Sequence, residues 1–180
     1  MRIIAMVLCL VFLAAPAGAS LVGLYTEPLP GACAVVPMPF IPFSVYVVHH
    51  LSTGTKALSF RVAAEFPAGM ISLGGTPIGF LCVGDCDPYQ GVSVSRQCSS
   101  ADWAIFRLDF FPTQPLQSVT CYQLRVVGYP GNDVVAVDCN DVQQTASGRF
   151  FSFVANSWDC WDCATPVEST TWGRVKSLYR

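Results

Sequence analysis

Cys160 and Cys163, three apart in the run WDCWDC, come nearest to chemistry of any residues in this chain by type and spacing. A C-x-x-C pair serves thiol–disulfide exchange when a helix N-terminus lowers the pKa of its first thiol. Here no βαβ pattern surrounds the pair, and Asp159 and Asp162 would raise thiol pKa values by like-charge repulsion. The pair therefore reads as part of a structural disulfide knot, with redox exchange as the alternative. His49 and His50 are the only histidines. Adjacent strand residues point to opposite faces, so these two do not converge on one metal or one nucleophile. Asp85 and Asp87, and Asp138, Asn140 and Asp141, offer oxygens of the kind calcium takes, in segments that equally read as turns. No G-x-S-x-G elbow and no H-E-x-x-H pair occurs. The expectation is no catalytic residue, no cofactor and no metal.

The start of the chain sets the compartment in which these residues would act. Arg2 precedes an apolar run from Ile3 to Ala15, and small residues follow to Ala17-Gly18-Ala19. That is the layout of a signal peptide cleaved after Ala19, and the run is too short to span a bilayer comfortably. Leu8 is too bulky for a lipidation box, so Cys9 is expected to leave with the leader. Of the nine cysteines in the chain, Cys33, Cys82, Cys86, Cys98, Cys121, Cys139, Cys160 and Cys163 then remain. An even number in an exported chain argues for disulfides before metal or catalysis. Charged residues make up 12% of the chain and form no basic patch, which argues against nucleic acid as a partner. No other stretch is long and apolar enough for a transmembrane segment.

The elements that must position these residues read as strands. In FSVYVVHH, Phe43, Val45, Val47 and His49 share a face; in ALSFRVAAE, Leu58, Phe60, Val62 and Ala64 do; in WAIFRLDFF, Ala104, Phe106, Leu108 and Phe110 do. Such alternation marks antiparallel strands with one buried face. Further strands are expected near residues 22–26, 33–37, 69–73, 78–83, 91–97, 118–127, 133–139 and 148–154. Turn segments such as STGT, FPAG, GDCDPYQG and YPGN separate them. Strands at this spacing predict a single all-β, antiparallel β-sandwich over residues 20–165, Ig-like or cohesin-like in architecture. If YPGN is a hairpin turn with Val127 facing Asp133, Cys121 falls opposite Cys139, and the two are expected to be bonded. The pairing of Cys33, Cys82, Cys86, Cys98, Cys160 and Cys163 stays open. Cys82 and Cys86 can close on each other, or one can reach Cys98; Cys33 can join Cys160 or Cys163.

Pro166 stops any helix arriving from upstream, and Ser169 or Thr170 can cap a new one. Residues 166–180 are therefore expected to carry a short amphipathic helix, with Trp172, Val175 and Tyr179 on one stripe and Leu178 beside it. About ten residues with Gly173 among them are marginal as an isolated helix, so something must hold it. The candidates are the domain itself, a partner or sorting machinery, and a membrane surface.

The segments GLYTE, FSVYVVHHLSTG and LSFRV, with the ending PVESTTWGRVKSLYR, resemble a group of small exported bacterial proteins of unassigned function. These end in a cysteine-containing knot and a Thr-Trp-Gly-x-Val-Lys-x-Leu-Tyr-like tail. The resemblance implies a bacterial source and a β-sandwich, and it carries no catalytic residue across. The closely spaced Cys82 and Cys86 depart from the group's pattern. The functional expectation is an exported structural, adhesive or binding module without catalysis, whose ligand is a protein or glycan at the cell surface. The first alternative is an extracellular thiol–disulfide oxidoreductase at Cys160 and Cys163. The second is a carbohydrate-binding module that stacks sugars on Trp103, Trp158, Trp161 or Trp172.

Overall fold

The computed structural model describes residues 20–50, 54–116, 122–131 and 133–153. The leader expected at 1–19, residues 154–165 of the expected domain, Cys121, Cys160, Cys163 and the tail expected at 166–180 with Trp172, Val175, Leu178 and Tyr179 lie outside the described residues. Among the described residues twelve strands follow one another: β1 (Leu21–Tyr25), β2 (Ala34–Val35), β3 (Phe43–His50), β4 (Thr55–Ala64), β5 (Met70–Pro77), β6 (Leu81–Val83), β7 (Val92–Ser99), β8 (Trp103–Pro112), β9 (Tyr122–Val127), β10 (Val134–Asp138), β11 (Gln143–Gly148) and β12 (Phe150–Phe153). All belong to one hydrogen-bonded mixed network. Every pairing is antiparallel except β1 with β11 and β12 with β2.

The network folds back on itself in a sandwich-like arrangement. Strands β1, β3, β8 and β5 pair in that order. Opposite them lie β4, its neighbours β7, β9 and β10, and β12 beyond β9. The inward residues predicted by alternation meet between these layers. Phe106 of β8 meets Phe60 of β4 edge-on with ring centroids 6.3 Å apart, and Phe110 of β8 meets Phe153 of β12 at 5.5 Å. Phe60, Phe106, Phe110, Phe151 and Phe153 are wholly buried. Each such side chain removed from water contributes about 2–3 kcal/mol before its entropy cost.

The register corrects one expectation. β9 runs along β4 from Leu124 opposite Ala64 to Val127 opposite Arg61, and β10 continues from Val135 opposite Ser59 to Asp138 opposite Thr55. The two therefore run in the same direction, end to end. Tyr129-Pro130-Gly131 is an excursion between them, not a hairpin turn. Cys139 follows β10 at the far end of that run, and β9, which Cys121 precedes in the sequence, does not pair with β10. The hairpin turn lies one segment later, over Cys139–Val142, where β11 folds back on β10 and β12 on β9. Cys139 is bonded to Cys98 instead, with a Cα–Cα distance of 5.5 Å. Thr55 explains the pairing, because it sits between Ser99 of β7 and Asp138 of β10. The bridge crosses just beside Gly54, where an added Cβ would lie 2.7 Å from the Cys139 sulfur, at a φ of +120° that also requires glycine. Closing a 41-residue separation stabilises the fold by about 4 kcal/mol on a chain-entropy argument.

Candidate functional site

Two ends of β8 gather the residues of interest. At the Trp103 end, β3 delivers His49 and β1 is preceded by Ser20. A register shift between Val47 and Val48 breaks the alternation of β3, so Val47, Val48 and His49 are all buried. The Trp103 indole N–H donates to His49 Nδ1 at 2.6 Å. An indole nitrogen can only donate, so Nδ1 is bare and the ring proton sits on Nε2. Nε2 then donates to Ser20 Oγ at 2.5 Å. A serine facing a histidine invites comparison with a nucleophile and its base, but this tautomer has the wrong nitrogen protonated to accept the serine proton. Burial pushes the His49 pKa down to about 4, against a smaller upward pull from Asp102; His50 and Arg96 add to the lowering. His49 is a neutral core residue with both nitrogens engaged. Its neighbour points the other way, with His50 Nδ1 2.8 Å from Asp102 Oδ2.

Trp103 is 5% exposed, which corrects its reading as a sugar-stacking platform. Phe80 covers it with ring centroids 4.4 Å apart, and the Arg96 guanidinium lies 4.2 Å from the ring centre. Trp158, Trp161 and Trp172 lie outside the described residues. The acidic segments are turns. The Asp138 carboxylate accepts the backbone N–H groups of Asn140 and Val142 and the side-chain amide of Gln144, and Asp141 pairs with Lys56. Asp87 accepts the Tyr89 N–H. Among the described residues, no three His, Cys, Asp or Glu side chains converge as a metal site.

The cysteines divide by state. Cys33 is buried at the entry to β2 and disulfide-bonded. Cys98 and Cys139 form the bridge over Gly54. Cys82 on β6 and Cys86 beyond it are free thiols. Cys121, Cys160 and Cys163 are outside the described residues, as is the stripe of Trp172, Val175, Leu178 and Tyr179.

At the Pro112 end of β8 the surface is open and apolar. The Phe40 N–H donates to Pro112 O at 2.7 Å, which lays the segment Val36–Ile41 against this end. Met38 is 63% exposed, Phe40 69% and Ile41 52%. Met70 and Ile71 of the edge strand β5 pair with Pro112 and Phe111, and the exposed Ile71 and Leu73 share the outer face of that strand. This grouping was missed in the sequence, although a signal was present. In Pro37-Met38-Pro39-Phe40-Ile41-Pro42, prolines alternate with large apolar residues and deny the segment a strand's hydrogen bonds. Phe40 adopts a φ of +62°, an uncommon conformation for so bulky a residue, and holds its ring outward.

The sequence matches no protein-family profile, and no curated protein is similar to it. Solved structures are similar in fold. A cohesin module from the family 33 glycoside hydrolase of Clostridium perfringens ATCC13124 superposes with a TM-score of 0.52 at 9% identity, covering 78% of this chain and 97% of that one. A non-cellulosomal cohesin from the hyperthermophilic archaeon Archaeoglobus fulgidus superposes with a TM-score of 0.50 at 12% identity, covering 76% and 91%. At these identities the likeness is one of fold.

Proposed function

We propose that this chain is an exported, non-catalytic binding module that engages a protein partner through the apolar surface at the Pro112 end of β8. The observation that carries this reading is the exposure of Met38, Phe40 and Ile41, on a segment bonded to Pro112, and of Ile71 and Leu73, on the strand paired beside it. Proteins seldom maintain such a group without an occupant, and protein partners are the ones that reward contiguous aromatic and methionine side chains. Its cohesin-like fold, which also occurs as a module of a glycoside hydrolase, supports a modular role. Export is supported by the leader pattern before Ser20 and by the disulfide-bonded cysteines Cys33, Cys98 and Cys139. Phe153 is paired with Val35, immediately before the exposed segment. We further propose that a tail carrying Trp172, Val175, Leu178 and Tyr179 takes part in the same contact.

The test is site-specific photo-crosslinking of the full chain in its native cells. Probes replace Phe40 or Leu73, with Arg125 on the polar exposed surface as the control position. Discrete protein adducts at 40 and 73, absent at 125, are the expected result. Equal labelling at all three, or adducts to glycan alone, would overturn the reading.

A further inference from the structure

Cys82 and Cys86 are four residues apart, both are free thiols, and they are close enough for Cys86 to act on the titration of Cys82. They sit on opposite sides of a mechanical boundary. Among the described residues β6 pairs with β7 alone, through Leu81–Ser95, Cys82–Val94 and Val83–Ser93, and none of them forms a strand on its other edge. Leu81 and Val83 point outward, 71% and 60% exposed, while Cys82 between them packs against the core. Cys86 enters a turn that is firmly tied down. Asp87 caps the Tyr89 N–H, Pro88 O accepts the Val62 N–H from β4, and the Tyr89 hydroxyl accepts a hydrogen bond from Ser72 of β5. Gly84, at a φ of +86° with open space around it, lets the chain reverse between the two cysteines.

We infer that Cys82 and Cys86 are a modification site: a dithiol that closes into a local disulfide by exchange with an external disulfide, stapling the edge strand β6 to the anchored turn. The step balances as two successive exchanges. The exposed Cys86 thiolate attacks one sulfur of the oxidant RS–SR, forming a Cys86–SR mixed disulfide and releasing RS⁻. The Cys82 thiolate then attacks the Cys86 sulfur, forming the Cys82–Cys86 bond and releasing a second RS⁻. Two protons leave the protein, and the oxidant is reduced to two thiols. Exposure assigns the order, because an incoming disulfide reaches the exposed Cys86 more readily than the half-buried Cys82.

The two steps differ in speed. Burial, and then the hydrogen bond and charge of Cys86, push the Cys82 thiol up to about 11. Little of it is thiolate at neutral pH, so the closing step is slow there and quickens with pH. The same high value favours the disulfide at equilibrium, because the reduced form gains nothing from ionisation. The closed site is a slow-forming, persistent mark of an oxidising compartment.

Full-length protein with Cys98–Cys139 intact is exposed to oxidised glutathione between pH 7 and 10, and its thiols are mapped by alkylation and peptide mass. A glutathione adduct at Cys86 is expected first, followed by its loss in favour of a Cys82–Cys86 crosslink. The rate of that loss should rise about tenfold per pH unit below 11. In Cys82→Ser the adduct at Cys86 persists, and in Cys86→Ser the adduct forms far more slowly. The crosslinked protein melts about 5 °C above the dithiol form. A wild-type adduct as long-lived as that of Cys82→Ser would overturn the inference. So would a crosslink that joins either residue to a third cysteine.

Discussion

The two ends of β8 treat their side chains in opposite ways. At Trp103 the chain gathers residues with chemical capability, an imidazole, a serine hydroxyl, an indole and a guanidinium, and uses all of them as structure. Each His49 nitrogen has a partner, and Trp103 is sealed between Phe80 and Arg96. At Pro112 the residues are chemically bland, yet Met38, Phe40, Ile71 and Leu73 are left in water. A titratable group is informative only when its capacity is unspent, and an apolar group only when its burial is unfinished. By that measure the unfinished burial lies at the Pro112 end, where the proposed contact is placed.

Four experiments press on this contrast. The largest effect belongs to Trp103→Ala, which opens a cavity beside His49 and removes its hydrogen-bond donor. A loss of about 4 kcal/mol in urea unfolding is expected; a loss under about 1 kcal/mol would mean that the Trp103 end is not core. The next is a pH effect. His49 is held near 4 in the fold and returns to about 6.5 when unfolded, so unfolding takes up a proton as pH falls. Stability is complete above pH 6.5 and declines by about 3 kcal/mol as the pH drops to 4. The decline should flatten in His49→Gln, measured by urea midpoints across that window. Ser20→Ala leaves the Nε2 proton without an acceptor and should cost about 1 kcal/mol, read the same way. Phe40→Ser comes last, with a stability change within about 0.5 kcal/mol. The same variant should abolish crosslinking through Leu73, so stability and binding separate at that end as they do not at the other.

Much of the architecture was legible in the residues themselves. The alternations in β3, β4 and β8 identified Phe60, Phe106, Leu108 and Phe110 as core, and all four are fully buried or nearly so. Gln143–Gly148 was not legible. Its only buried side chain is Ala146, and its strand character comes from backbone pairing with β10 and β1. The supposed hairpin at Tyr129–Gly131 misled because turn chemistry shows that a chain bends and not where it goes next. The register along β4 decides that, and register is a property of several strands at once. The acidic run at Asp138–Asp141 offered both a turn and oxygens for calcium in the sequence, and its carboxylates are occupied with backbone amides and Lys56. Of the candidate surface, only the proline-spaced apolar residues at 37–42 were visible in the sequence, and their exposure depends on Pro112 of a distant strand holding the segment in place.

The two parallel pairings carry a consequence for the time course of assembly. Among the described residues β2 has a single strand partner, β12, and β1 takes β11 along the edge that β3 leaves vacant. A chain made from its N-terminus holds Ala34 and Val35 without their ladder until Ser152 and Phe153 have appeared. Nearly the whole sequence must be present before the first strands are complete. Contacts so distant along the chain put folding in the slow range of milliseconds to seconds. Until Ser152 and Phe153 are made, the ladder of Ala34 and Val35 has no partner to close on.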